Sequence, residues 1–232
     1  MHPSYNTRAA AEEMGLPVFL VQHHYAHILS CMAENEWTTE KRVIGVSFDG
    51  TGYGTDGTIW GGEILLADYD SFTRWGFIEP FAQTGGDASA KEGWRIAVSL
   101  LGKIYGKENA LLIIETLGLC EPKLAKLQFT MEERGINTVQ STSAGRLFDA
   151  VSAILDIRKS STFEGEASTS LQFAAEKWLD AQKKKIAGSE DFAESGIITD
   201  YGELKSISDV AQKSVVEKNN SINRNIKADL YY

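Results

Sequence analysis

Hydrophobic and polar positions along the chain predict a series of strands that gives way to helices. Residues Pro17 to Val21 form a short apolar run, and His24 to Glu36 places Ile28, Leu29 and Met32 at helical spacing, so the pattern predicts a strand followed by a helix, with Cys31 on its apolar side. Arg42 to Asp49 predicts a second strand, closed by the glycine-rich turn Gly50 to Gly57. Strands at Thr58 to Asp68 and Thr73 to Phe81 follow, and three such runs in succession predict a β-meander. Beyond the loop Thr84-Gly85-Gly86-Asp87 the period becomes helical: a helix capped by Asp87 or Ser89 and running to Tyr105, then Glu108 to Leu117 and Pro122 to Arg134. Ser143 is placed to cap a further helix with Leu147, Val151 and Leu155 on one face, and Ala167 to Lys185 predicts another. Residues 186–232 are polar and poor in large apolar residues, an atypical tail that is expected to order poorly. No internal repeat is evident.

Composition narrows the function classes. The 232 residues are 43% hydrophobic and 24% charged, which suits a globular chain of one large domain or two small ones. The formal charge of −9 argues against a broad nucleic-acid surface, so nucleic acid is not an expected partner. Two distant cysteines, Cys31 and Cys120, make neither a disulfide framework nor a cysteine zinc knuckle. No apolar run reaches the roughly 20 residues of a membrane helix, and the N-terminus lacks a signal-peptide pattern. The expectation is a cytoplasmic protein without a membrane partner.

Candidate chemistry is concentrated in a few segments. His23-His24-Tyr25-Ala26-His27 holds three of the four histidines. His23 and His27, four apart, project from one face of a helix and can meet one metal ion, with Asp49 at the end of a strand as a third ligand. The bland alternative is a set of satisfied histidines at a strand-to-helix junction. Two glycine-rich turns, Asp49 to Gly54 and Trp60-Gly61-Gly62-Glu63, suit an anion because backbone amides can approach it there, although isolated hairpin turns look the same. Asp149 sits on a helix patterned for burial, where a carboxylate needs either Arg146 as ion-pair partner or a ligand hydroxyl. The Lys183-Lys184-Lys185 run reads as a solvated helix end.

Together, Val21-Gln22-His23-His24-Tyr25-Ala26-His27, Phe48 to Gly54, Ile59-Trp60-Gly61-Gly62-Glu63, Gly85-Gly86-Asp87, Trp94-Arg95 and Gly145 to Val151 resemble the C-terminal catalytic domain of the HypF family of hydrogenase-maturation carbamoyltransferases. The resemblance runs from about His2 to Lys177. It implies an α/β fold of the actin-like ATPase type, built from ribonuclease-H-like lobes. A first lobe with a helical insertion is expected at 1–140, the start of an incomplete second lobe at 141–185, and the polar tail at 186–232.

The same resemblance implies an activity and a site. In that family a carbamoyl group passes from carbamoyl-adenylate to the C-terminal cysteine of a partner protein (HypE-type), a step toward the cyanide ligands of [NiFe] hydrogenase. It implies His23, His27 and Asp49 as ligands of a divalent metal, zinc or iron. Gly61 and Gly62 are implied as a substrate-phosphate turn, Gly50, Thr51, Gly52 and Trp60 as further substrate- or nucleotide-binding positions, and Asp149 with Gly165 as positions near the ribose of ATP, AMP or the adenylate. No nucleophile of the chain is needed in this scheme, since the acceptor thiolate attacks. The family's upstream domains and its last metal-binding Asp find no counterpart, and Gly93 stands where the family has Pro. A fragment inactive in isolation, working with the missing HypF domains, is therefore expected. The competing readings are an inert remnant that binds a nucleotide or a partner, and a relative acting on a small-molecule hydroxyl or on tRNA.

Overall fold

The computed structural model describes residues 6–187, so the tail expected at 186–232 lies almost wholly outside the described residues. After α1 (Asn6–Glu13) and α2 (His23–Glu34) come β1 (Val43–Tyr53), β2 (Ile59–Ala67), β3 (Phe72–Phe77) and β4 (Phe81–Thr84). A short 3-10 turn (Gly86–Ala90) leads to α3 (Gly93–Tyr105), α4 (Lys107–Leu117), α5 (Pro122–Glu133), β5 (Thr138–Ser141), α6 (Ala144–Ile154) and α7 (Glu166–Ala187).

The expected meander is present: β1 to β3 run antiparallel in succession, with Val43 opposite Ala67 and Ala67 opposite Phe72. The sheet order is β1-β2-β5-β4, and β3 shares the inner edge of β2 with β5. β3 takes the Glu63 to Ala67 end, while β5 joins in parallel at Ile59. Two cores flank this sheet. Tyr25, Ile28 and Met32 of α2 pack on Trp60, Leu65 and Ala67, and the larger core gathers α3 to α6 around Phe81, Ile96, Val98, Ile114 and Phe129.

Several boundaries differ from the sequence reading. Residues 17–22 lie in no strand, and Phe19 is exposed, because the run leads into α2 without a neighbouring strand edge. β1 continues through Gly50 and Gly52 to Tyr53, with a register shift between Phe48 and Gly52, so the turn shortens to the residues after Tyr53. The strand expected at Thr73 to Phe81 is two strands, and neither Asp87 nor Ser89 caps α3, which starts at Gly93. A short strand that the pattern did not predict, β5, joins the sheet between β2 and β4.

Ser143 does cap α6, accepting the Arg146 N–H at 3.0 Å. The buried face of α6, however, is Ala144, Asp149, Ala150, Ser152 and Ala153 rather than the Leu147 stripe. Small residues win there because α3 crosses α6 closely: a Cβ at Gly93 would lie 2.7 Å from the Asp149 carbonyl oxygen. Cys31 is exposed, since α2 turns His24, Tyr25, Ile28 and Met32 inward.

Candidate metal centre

Helix α2 begins at the residue where its chemistry begins. Gln22 caps it, its side-chain oxygen accepting the Tyr25 N–H at 2.9 Å, so His23 and His27 occupy the first two turns on one face. Asp49 faces them from within β1, at the register shift between Phe48 and Gly52, and not from the strand end expected for it. His23 Nε2 lies 2.7 Å from Asp49 Oδ2, His27 Nε2 is 3.3 Å from His23 Nε2 and 3.9 Å from the same carboxylate oxygen. The ligating atoms of His23, His27 and Asp49 all fall within 4.8 Å of one another.

Backbone contacts hold Asp49 in place from behind. The Gly50 N–H donates to Asp49 Oδ1 at 2.6 Å, and the Ser143 hydroxyl at the α6 terminus lies 3.2 Å from the Asp49 carbonyl and 2.7 Å from that of Gly50. Burial pushes the Asp49 carboxyl upward, but the His23 hydrogen bond, the Gly50 amide and the neighbouring rings outweigh it and leave the group below its ordinary value. The donor set fits a divalent cation: two imidazoles and an ionised carboxylate converge, and one shared proton on His23 satisfies both contacts of that ring nitrogen.

The other expected residues are spread around this centre. Thr51 donates to the Gly50 carbonyl and lines a cleft of about 390 Å³ with Gln83, Asp87 and Asn137. Trp60 is in the core under α2, its indole N–H donating to Asp56 at 3.0 Å. Gly61 and Gly62 are not a turn: they lie inside β2, and both amides face Glu63 Oε1, at 3.2 and 3.3 Å. Asp149 pairs with Arg146 at 3.1 Å, and burial raises its carboxyl against the pull of that guanidinium. Gly165 stands apart at the start of α7, where its carbonyl accepts the Thr169 N–H and the Ser168 hydroxyl.

The sequence reading passed over Glu63. Its side chain is 0% exposed and accepts from Gly61, Gly62, the Thr142 hydroxyl and Arg74, whose Nε lies 2.7 Å from Oε2. Arg74 also stacks on Trp60 and Phe77, with its guanidinium carbon 4.1 and 3.9 Å from the ring centres. The signal available was a carboxylate following two glycines within an apolar strand. A buried charge there requires partners.

Comparison with known proteins bears on what this cluster belongs to. Residues 45–228 match the family described as carbamoyltransferase, Kae1-like domain, second subdomain, and residues 1–34 match the HypF Kae1-like domain. The chain belongs to the HypF carbamoyltransferase family. It is 38% identical over 182 residues to the probable carbamoyltransferase HypF of Methanocaldococcus jannaschii, covering 77% of this chain and 23% of that protein. The carbamoyltransferase HypF of Rhodobacter capsulatus is 37% identical over 188 residues, covering 75% and 24%. The chain thus spans about a quarter of the length of these HypF relatives. Among solved structures, full-length HypF in a phosphate- and nucleotide-bound form superposes with a TM-score of 0.66 at 36% identity, over 73% of this chain and 22% of that one. T.kodakarensis HypF gives 0.65 at 34%, over 76% and 24%. The fold is accordingly that of the HypF Kae1-like domain, an α/β architecture of the actin-like ATPase type.

Proposed function

We propose that the chain contributes the metal-binding part of a carbamoyl-transfer centre, in which carbamoyl passes from carbamoyl-adenylate to the C-terminal cysteine of a HypE-type partner during [NiFe] hydrogenase maturation. The observation that carries this reading is the convergence of His23, His27 and Asp49 in a chain of the HypF family. These three side chains would hold a divalent ion, zinc or iron, which supplies a positive charge to polarise the carbamoyl carbonyl or to neutralise the adenylate phosphate.

The chain's own residues have the supporting work. Asp49 presents one oxygen to the centre while the Gly50 amide holds the other, and Ser143 ties the Asp49 and Gly50 carbonyls to the start of α6. The exposed Thr51, beside the half-buried Gly50, and the cleft it lines are where the phosphate and ribose of ATP, AMP or the adenylate would lie, with buried Gly52 behind them and Asp149 near the sugar; the nucleotide-bound HypF relative supports use of a nucleotide. Gly61 and Gly62 then act behind this surface, through Glu63, and Trp60 as its floor. Three protein donors leave room for a further oxygen ligand and for the carbamoyl-adenylate, and in this reading the chain is inactive in isolation and works together with other HypF domains.

Two measurements test the reading. Elemental analysis after dialysis should find stoichiometric metal in the wild-type chain and little in His23→Ala/His27→Ala. Carbamoyl transfer to a cysteine-terminated partner should then appear only when the remaining HypF domains are added. Metal retained by the double variant, or no transfer in the reconstituted system, would refute the proposal.

A further inference from the structure

Buried polar atoms in folded proteins nearly always have partners, and an orphan beside a functional cluster calls for a reason. His24 provides one. Its side chain is 0% exposed, wedged between α2 and β1, where a Cβ on Gly52 would come within 2.2 Å of its Cε1. Its Nε2 has no hydrogen-bond partner among the described residues.

The tautomer follows from Gln22. Because the Gln22 oxygen accepts the Tyr25 N–H at 2.9 Å, its nitrogen is the end that meets the Tyr53 carbonyl and His24 Nδ1, each at 3.2 Å. A Gln nitrogen only donates, so His24 Nδ1 accepts and the ring hydrogen sits on Nε2. That N–H faces Asp49 Oδ2 across 3.9 Å, beyond hydrogen-bond range. His24 therefore offers a fixed donor and no free lone pair, which excludes it as a third imidazole ligand.

Asp49 Oδ2 is meanwhile taken by His23 Nε2, whose hydrogen also reaches His27. We infer that His24 is a positioning residue of the metal centre: when a cation takes the place of the His23 hydrogen, the His24 Nε2–H becomes the donor that orients the Asp49 carboxylate. The exchange balances. His23 stays a neutral ring by carrying its hydrogen on Nδ1 instead of Nε2, exchanged through solvent, so that Nε2 and one lone pair of Asp49 Oδ2 are free for the ion, and the other Oδ2 lone pair accepts from His24. The inference rests on the proposed metal centre.

The test compares two amides in the full chain. In His24→Gln the side-chain nitrogen reaches the position of Nε2 and can still donate toward Asp49; in His24→Asn it stops near Nδ1. Zinc affinity is read by competition with a chromophoric chelator, with the thermal midpoint recorded for each protein. Loss of such an outer hydrogen bond costs about 10- to 100-fold in metal affinity, so His24→Asn should weaken zinc binding by that factor while His24→Gln stays within about threefold of wild type. Equal affinities in the two variants, whether both unchanged or both weakened, overturn the role of His24. Wild-type affinity no greater than that of His23→Ala overturns the metal centre itself, and the inference with it.

Discussion

At the scale of single residues, the centre depends on how little room surrounds the histidines. Gly52 has no side chain because His24 occupies that space, so Gly52→Ala must push the ring or the strand aside, at a cost of about 1–3 kcal/mol as for other overpacked cores. Urea unfolding should show that loss, and zinc retention should fall with it. Glu63 and Arg74 give a second residue-level expectation. Arg74→Met leaves a fully buried carboxylate without its cation, which should cost about 3–5 kcal/mol, whereas adding Glu63→Gln removes the stranded charge and should recover part of it. A double variant less stable than Arg74→Met would contradict that account. Of these residues the sequence pointed to His23 and His27 through helical spacing and to Asp49 through an expected strand end, which the structure moves on to Tyr53. Glu63 and His24 stayed hidden because their importance lies in what surrounds them, and burial is not legible in one carboxylate or one ring of a histidine run.

At the scale of elements, caps and turns explain what was legible. Ser143 precedes an apolar helix as a cap should, and the structure confirms it; the added contacts to the Asp49 and Gly50 carbonyls come from a strand 93 positions earlier and have no local signal. β5 escaped notice since it is four residues long and mostly polar, held by pairing with β4 rather than by its own pattern. The β2–β3 connection carries a pH expectation. Asp68 accepts from Arg42, from the amides of Ser71 and Asp70 and from the Ser71 hydroxyl, and these bonds, Arg42 first, lower its carboxyl from 3.8 to about 2. A depressed carboxylate stabilises the fold above its unfolded value and loses that contribution as pH falls through the folded one. The Asp68 contribution is thus complete above about pH 4 and gone below about pH 2. Asp68→Asn should lower stability at neutral pH and flatten the fall in chemical stability between those limits; an unchanged acid limb would assign the pH dependence to other carboxylates.

At the scale of the whole molecule, the two faces of the β1–β2 ribbon are treated differently. Gly45 and Ser47 face α2 and the histidine cluster, while Ile44, Val46 and Phe48 alternate onto the opposite face, 64%, 60% and 62% exposed. Half-buried Leu66 and Ile64 are the cross-strand neighbours of Ile44 and Val46, so these side chains adjoin in one apolar stripe rather than standing scattered. The His23–His27–Asp49 cluster and this surface share a strand but not a face, and period-two alternation separates them chemically. Ile44→Thr/Val46→Thr keeps β-branched residues in the strand and removes the apolar character, so stability should change by about 0.5 kcal/mol or less. The native chain should enhance the fluorescence of a hydrophobic dye such as ANS, and the double variant should lose most of that signal while keeping wild-type zinc retention. Loss of metal in that variant would mean that the outer face of β1 bears on Asp49 after all, and that the ribbon transmits strain from one face to the other.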